Sequence, residues 1–356
     1  MAAYTTIDDP SAHFQTTLYT GAGAGQTVTN DGNSNLQPDL LWIKRRNAGY
    51  AHALFDSNRG LGSSNPPMLE SDSTAAENSN QNWISGVGTD SFTIGINEQN
   101  LSNTSGTYVA WQWKANGGMT SSNTDGNTTT TVQANQDAGF SIITYTGTGS
   151  ETTFGHGLGV APEVIIAKKR GGAASWVVWF KAFNNSDGYL VLNATDKMEE
   201  ATTIFTNTDP TSSVITLGSS STVNQNTVTH LMYAFSPKQG YSKFGSYKGN
   251  GNADGPFVYT GFQPAFILFK KSSDAGDNWM MYDHKRPGYN VTDEALHPNS
   301  AVGEYDNANA NLDILSNGFK LRSSFGWVNQ SSHTYMYMAF AKHPFVTSTG
   351  IPTTAR

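Results

Sequence analysis

Ala161-Pro162-Glu163-Val164-Ile165-Ile166-Ala167-Lys168 decides the fold. A proline opens the stretch, an unbroken apolar run follows, and a lysine closes it. Short continuous apolar runs are expected of strands covered on both faces. The pattern occurs twice more, as Gln37-Pro38-Asp39-Leu40-Leu41-Trp42-Ile43-Lys44 and as Gln263-Pro264-Ala265-Phe266-Ile267-Leu268-Phe269-Lys270. Upstream of each copy stands a Tyr-Thr-Gly-like opening: Leu18-Tyr19-Thr20-Gly21, Thr144-Tyr145-Thr146-Gly147 and Ser246-Tyr247-Lys248-Gly249. Downstream stands an aromatic closing run: Tyr108 to Trp113, His230 to Phe235 and Tyr335 to Phe340. The interval from proline to closing run is nearly constant, so each copy reads as one folding unit. Repetition of this kind predicts an array of modules, each about the size of a small domain.

Within each unit the signal is strand-like. Trp176-Val177-Val178-Trp179-Phe180 and Trp279-Met280-Met281-Tyr282 follow Gly-containing turns, and Tyr189 to Leu192 and Val214 to Leu217 come later. Turn residues separate these runs at intervals that suit a sandwich. The prediction is an all-β chain of three tandem antiparallel β-sandwich-like modules related by internal repeat. Their expected bounds are 1–115, 139–239 and 240–346, with a Gly/Ser/Thr/Asn-rich linker at 116–138 and a polar tail at 347–356. The linker composition reads as a flexible or extended connector. Modules two and three are expected to sit against each other, and module one to be placed more freely. In the closing runs both faces are apolar or aromatic, which predicts central, covered strands. No long helical periodicity is present. The best candidate, Lys197 to Ala201, covers a turn or two at most.

Composition narrows the function classes. Charged residues are 14% of the 356, well under the usual ~25%. Aromatics reach 12%, which argues against disorder. Net charge is −7 and the densest basic cluster is Lys168-Lys169-Arg170. Nucleic-acid binding needs a basic face to neutralise phosphates, so nucleic acid is not an expected partner. The absence of cysteine excludes disulfides and thiolate metal sites. No apolar stretch of about 18 residues exists, so membrane insertion as a helix is not expected. The N-terminal residues lack the basic and apolar regions of a signal peptide.

Candidate chemistry is sparse. Gly155-His156-Gly157-Leu158-Gly159 resembles a phosphate loop, yet it leads to another strand and not to a helix, so a tight inter-strand loop is expected. Asp306 to Asp313 places oxygen ligands at alternate positions, but the turn Gly and distal Glu of a calcium loop are missing. Asp283-His284 and Asp293-Glu294 put three carboxylates and an imidazole close in sequence; a solvated loop is expected in preference to a catalytic pair facing across a sugar. No nucleophile elbow and no His-Glu-x-x-His motif appears. Trp83, Trp279 and Trp327 are candidate stacking platforms if exposed; Trp42, Trp111 and Trp113 lie in apolar runs and are expected in the core. No catalytic, cofactor-binding or metal-ligating residue is assigned, no cofactor is expected, and the binding residues stay unassigned.

Gly139 to Gly147 followed by Gly155 to Pro162, Gly255 to Pro264, Asp313 to Arg322 and Tyr337 to Phe345 together resemble an uncharacterised repeat family of tailed-bacteriophage structural proteins. The members are tail-fibre-like proteins of phages of marine bacteria and cyanobacteria. Tyr4 to Pro10 and Pro38 to Lys44 resemble the first copy in those proteins. The likeness covers nearly the whole chain. It implies a virion structural protein, often labelled tail fibre, and carries no active-site residues. Long fibres usually begin with an anchoring segment, whereas here the first module starts near His13; a small spike, knob or head decoration is therefore also open.

The leading expectation is a non-enzymatic virion protein, assembled in the host cytoplasm: a tail-associated fibre or adhesin that meets a host-surface glycan or protein and other virion proteins. A head decoration or cementing protein is the alternative, and would show a broad apolar patch. A polysaccharide-degrading tailspike is the third, and would need opposed carboxylates such as Asp283 and Glu294. Three modules could mimic a trimer within one chain, or the chain could itself form a homotrimer.

Overall fold

The computed structural model describes residues 3–306 and 309–353. The first module holds β1 (Phe14–Thr20), β2 (Gln26–Thr29), β3 (Leu40–Arg45), β4 (Ala53–Asp56), β5 (Ile84–Gly88), β6 (Ser91–Ile94) and β7 (Thr107–Trp113). β8 (Ser121–Asn123) and β9 (Thr130–Asn135) follow. The second module holds β10 (Phe140–Thr146), β11 (Thr152–Gly155), β12 (Val164–Lys169), β13 (Val177–Phe180), β14 (Gly188–Val191), β15 (Glu199–Glu200), β16 (Val214–Leu217) and β17 (Thr229–Phe235). The third holds β18 (Ser242–Lys248), β19 (Phe257–Tyr259), β20 (Phe262–Lys271), β21 (Met280–Asp283), β22 (Glu294–Ala295), β23 (Tyr305–Asp306), β24 (Leu312–Leu315), β25 (Gly318–Leu321) and β26 (Thr334–Pro344).

Each module builds a main sheet with one strand order: β1-β7-β3-β4, β10-β17-β12-β13 and β18-β26-β20-β21. Smaller sheets accompany them, β2-β6-β5, β11-β16 and β19-β25-β24. The fold is thus all-β and sandwich-like. All three closing runs are central strands, and alternation explains their double apolar character. In β17, Met232 and Ala234 join the module's own core, while Leu231, Tyr233 and Phe235 face the opposite way. In β26, Tyr335, Tyr337 and Ala339 serve the module's own core and Met336, Met338 and Phe340 the other. In β7, Tyr108 and Ala110 contrast with Val109, Trp111 and Trp113.

The second face of every main sheet points into one core shared by all three modules. Leu40, Trp42 and Trp113 meet Ile166, Tyr233 and Phe235, and both sets meet Phe266, Leu268 and Phe340 around a cavity of about 20 Å³. So small and apolar a void stays dry. Aromatic edges lock the centre: Phe340 contacts Phe14, Trp113, Phe235, Tyr241 and Phe244 at ring distances of 5.5 to 5.9 Å. Full burial of such side chains contributes about 1.5–3 kcal/mol each relative to exposure. The expectation of a loosely placed first module is therefore overturned, because its own Leu40, Trp42, Trp111 and Trp113 are part of the common core.

Two other expectations change. The connector at 116–138 carries β8 and β9, which extend the second module's sheet in the order β17-β10-β9-β8. Its Thr-rich run alternates Val132 inward with exposed Thr131, which suffices for a strand when an edge is available. Lys197 to Ala201 contains the short strand β15, not a helix. The helical turns lie instead at Ser221–Asn224 and Gly326–Asn329, each directly before a closing strand. The tail folds back, with Val346 bridging Pro352 and Ser348 bonded to Asp8.

Candidate functional site

The sequence-predicted carboxylates lie in the seams between modules. Asp283 ends β21 and is fully buried against Arg286, with Nε to Oδ2 at 2.6 Å. Arg286 also reaches Glu304 (3.0 Å), which binds Arg46 of the first module (2.6 Å). Trp111 of the first module donates its indole N–H to Asp283 Oδ2 (3.1 Å). Burial alone would raise the Asp283 pKa, but the Arg286 charge and hydrogen bonds outweigh it and hold the carboxyl below its ordinary value. Glu294 sits on the rim, 3.7 Å from Arg46, and burial followed by the nearby Glu304 raises its pKa. Asp283 is thus neither in a solvated loop nor across an open cleft from Glu294.

The seam between modules one and two contains a matching set. Arg59 binds Asp56 (2.6 Å), Glu77 lies 3.5 Å from Arg59 and 2.8 Å from Arg170, and Tyr233 donates to Asp56 Oδ2 (2.8 Å). In the seam between modules two and three the corresponding places hold Phe180, Phe183, Met198, Ser272 and Met338. Phe180 and Phe183 meet edge to face at 5.6 Å. A backbone bond crosses every seam at one position: Glu304 N–H to Arg46 O (2.6 Å), Glu77 N–H to Arg170 O (3.1 Å) and Met198 N–H to Ser272 O (2.8 Å).

Rings and lysines complete the seams. The residue before the fourth main strand is His52, Trp176 or Trp279. Trp176 donates to Glu70 O (2.8 Å) and Trp279 to Val191 O (2.9 Å). His52 accepts from Trp42 Nε1 at Nδ1, which leaves its Nε2–H to donate to His297 O (2.9 Å). The lysines that close the three proline-led apolar runs, Lys44, Lys168 and Lys270, are buried. Desolvation pushes each of them down to about 8. Lys44 reaches Ala301 O of the third module and Lys168 reaches Thr74 O of the first. Two of these strand-ending lysines thus tie modules together, while Lys270 donates to Lys271 O within its own module (2.8 Å).

The remaining candidates resolve as follows. Gly155 to Gly159 forms the link from β11 to β12, with Gly157 and Gly159 at φ +72°, and His156 is buried on Thr211 O (3.2 Å). Of the calcium-like run, Asn307 and Ala308 lie outside the described residues, Asp313 pairs with Arg322 (2.6 Å), and among the described residues no cluster of His, Asp or Glu has metal-ligand grouping. Trp83 and Trp279 are buried, and Trp327 is half-buried against His297 and Phe325. None of the three offers an open stacking face. The most exposed aromatic is Tyr289, at 84%, which sequence reasoning missed. Its setting in Pro287-Gly288-Tyr289-Asn290 was the available signal, because turn residues carry a side chain outward.

Tyr289 borders a polar groove on the outside of the 1–3 seam. One compartment, of about 520 Å³, runs past Tyr289, Gln263 and Thr292 to His284 and Lys342. From those two residues a second compartment of about 190 Å³ continues over Lys285 and His343 to Gln15, Thr16 and Asp31 of the first module. Lys285 spans the opening to Asp31 (2.7 Å). Burial drives His284 down to about 4, so it is a neutral hydrogen-bonding group at pH 7. The groove offers an aromatic face, two ammonium groups and several amides, which is equipment for binding.

Three sandwich-like lobes, with charge sealed in two of their seams and an open groove beside one of these, define an all-β body. Residues 9–344 match the family described as a domain of unknown function, DUF7483, and the chain belongs to that family. A search of curated proteins finds no match to the chain.

Proposed function

We propose that the chain is a non-enzymatic structural protein of a tailed-phage virion, most specifically a tail-associated fibre or adhesin that contacts the host surface. The observation that carries the reading is the closure of three lobes around one core, with the aromatic and cationic groove left on the outside. Such a body is stiff, and it presents Tyr289 and the lysines in fixed relation to a surface. The sequence likeness to tail-fibre-like proteins supports the same reading. Among the exposed large apolar side chains, Phe257 with Tyr259 on β19 and Tyr289 with Val291 form only small pairs, and Met119, Val160, Val302 and Ile351 stand on separate elements, which favours an adhesin over a cementing protein that needs a broad patch. Against the tailspike alternative, Asp283 is bound to the Arg286 guanidinium and Glu294 lies 3.7 Å from that of Arg46.

Gold-tagged polyclonal antibody on intact virions tests the proposal. Label on tails is the expected result. Label over heads replaces it with the decoration alternative, and bare particles alongside detectable protein in the lysate remove the virion reading altogether.

A further inference from the structure

β19 carries two open rings at places where the other modules carry none. By strand register, Phe257, Val258 and Tyr259 correspond to Thr27, Val28 and Thr29 of β2 and to Thr153, Phe154 and Gly155 of β11. The middle residue of each set is buried in its own module's core, so its two neighbours face the other way. Phe257 and Tyr259 are 44% and 48% exposed. Threonine, phenylalanine and tyrosine all favour strands, so the sheet itself does not call for rings here. Gly318, which pairs with Tyr259, is also peculiar to the third module; Ser91 and Val214 take its place in the others. A Cβ at Gly318 would stand 2.9 Å from Phe257 Cε2, so the glycine lets the Phe257 ring lie close against the sheet. Lys243 completes the difference, because β1 and β10 place Gln15 and Ser141 at its register. Its ammonium stands 5.2 Å from the Tyr259 ring centre and donates to Tyr259 O (2.7 Å). Burial lowers the Lys243 pKa, and among the described residues no acidic partner offsets that.

We propose that Phe257, Tyr259 and Lys243 bind an acidic oligosaccharide. The C–H face of a sugar ring carries partial positive charge and stacks on the negative face of an aromatic ring. Side chains two apart on a strand stand about 7 Å from one another, so successive sugars rest on Phe257 and Tyr259 in turn. A carboxylate on the sugar at Tyr259 meets the Lys243 ammonium, which supplies the charge that the neutral Gln15 and Ser141 lack. The exposed parts of the two rings amount to roughly 200 Å², against about 800 Å² per partner in a stable protein interface. Such an area suits a small flat ligand and is too little for a second copy of this chain. Phe257, Tyr259 and Lys243 line neither compartment of the groove beside the 1–3 seam, so the saccharide site goes beyond the adhesin reading and does not depend on it.

The probes are the hexamers of galacturonic acid and of mannuronic acid, with the galactose hexamer as the uncharged control, each titrated into the full chain and followed by calorimetry. Saturable binding of an acidic hexamer is expected. The substitutions restore what the first module carries at the same places. Phe257→Thr with Tyr259→Thr is expected to weaken binding about tenfold or more. Lys243→Gln is expected to weaken it by up to about fivefold and to bring it to the level of the galactose hexamer. The rings are exposed and threonine suits a strand, so the double variant keeps the fold. Absence of saturation by either acidic hexamer up to millimolar concentration, or binding indifferent to all three substitutions, overturns the proposal. Equal affinity of the unsubstituted chain for the galactose hexamer overturns the acidic assignment, and tighter binding of oligothymidylate at the same residues overturns it in favour of a nucleic-acid platform. Saccharide binding without virion labelling keeps the site and removes the virion reading; tail labelling without saccharide binding does the reverse.

Discussion

The seam between the first and third modules holds Arg46, Glu304, Arg286, Asp283 and Trp111, where the seam between the second and third holds Ser272, Met198, Phe183, Phe180 and Met338. The backbone bond across the two seams is the same, from Glu304 to Arg46 O in one and from Met198 to Ser272 O in the other. One scaffold thus tolerates a sealed ion-pair chain or plain apolar packing at equivalent places. The ion pair itself need not add net stability, because desolvation of two charges consumes most of their attraction. What it adds is directional: Asp283 fits a guanidinium and an indole N–H, while the Phe180 surface fits any apolar neighbour of the right volume.

The largest effect is expected from breaking the charged seam on one side. Arg286→Met leaves Asp283 buried without its partner and should cost about 3–5 kcal/mol, read as a lower urea midpoint. A change under about 1 kcal/mol would mean that water already reaches the pair. Converting the seam is expected to be much milder: Asp283→Phe with Arg286→Phe should fall within about 2 kcal/mol of the parent, with part of that due to the stranded Trp111 N–H. Equal damage from the single and double variants would show that the two seams are not interchangeable.

Acid should separate the seams next. Burial holds His52 well below its ordinary pKa and also lowers His297, and both belong to the 1–3 seam. The opened state binds more protons than the closed one once pH falls below about 6.5, so closing free energy is lost as pH drops. Amide-exchange protection at Glu304 should therefore fall between pH 7 and pH 5, while protection at Met198, bonded to Ser272 O, should hold. A parallel decline at both amides would refute a seam-specific effect.

A further effect comes from the three buried lysines. Lys44, Lys168 and Lys270 titrate near 8 when folded and near 10.4 when unfolded. The unfolded state holds more protons in that window, so stability should rise from about pH 8 to about pH 10, before tyrosine ionisation reverses it. Lys44→Met should remove part of the rise, measured as the change in melting temperature between pH 7.5 and 9.5.

Much of the sandwich was legible because its strands are short apolar runs punctuated by Gly and Pro. Even the double apolar faces of Tyr335 to Phe340 could be read from alternation. The shared core could not, because a second covered face says that something packs there and not what. Trp42 and Trp111 were rightly placed inside, yet nothing in their neighbourhood separates a module's own core from a common one. The strand at Thr130 to Asn135 was hidden for another reason: a Thr-rich segment has little apolar signal, and it becomes a strand through the edge of β10. The seam carboxylates misled in the opposite sense, since Asp283 and Glu294 look solvated until Arg286, three residues after Asp283, folds back and Arg46 arrives from the first module.

The peptide links between the three lobes have a consequence for life at great dilution. A complex of separate subunits falls apart when its concentration drops below the dissociation constant, and it can exchange members with its neighbours. Lobes joined through Trp113 to Ser121 and through Phe235 to Ser242 keep one another at constant effective concentration however dilute the protein.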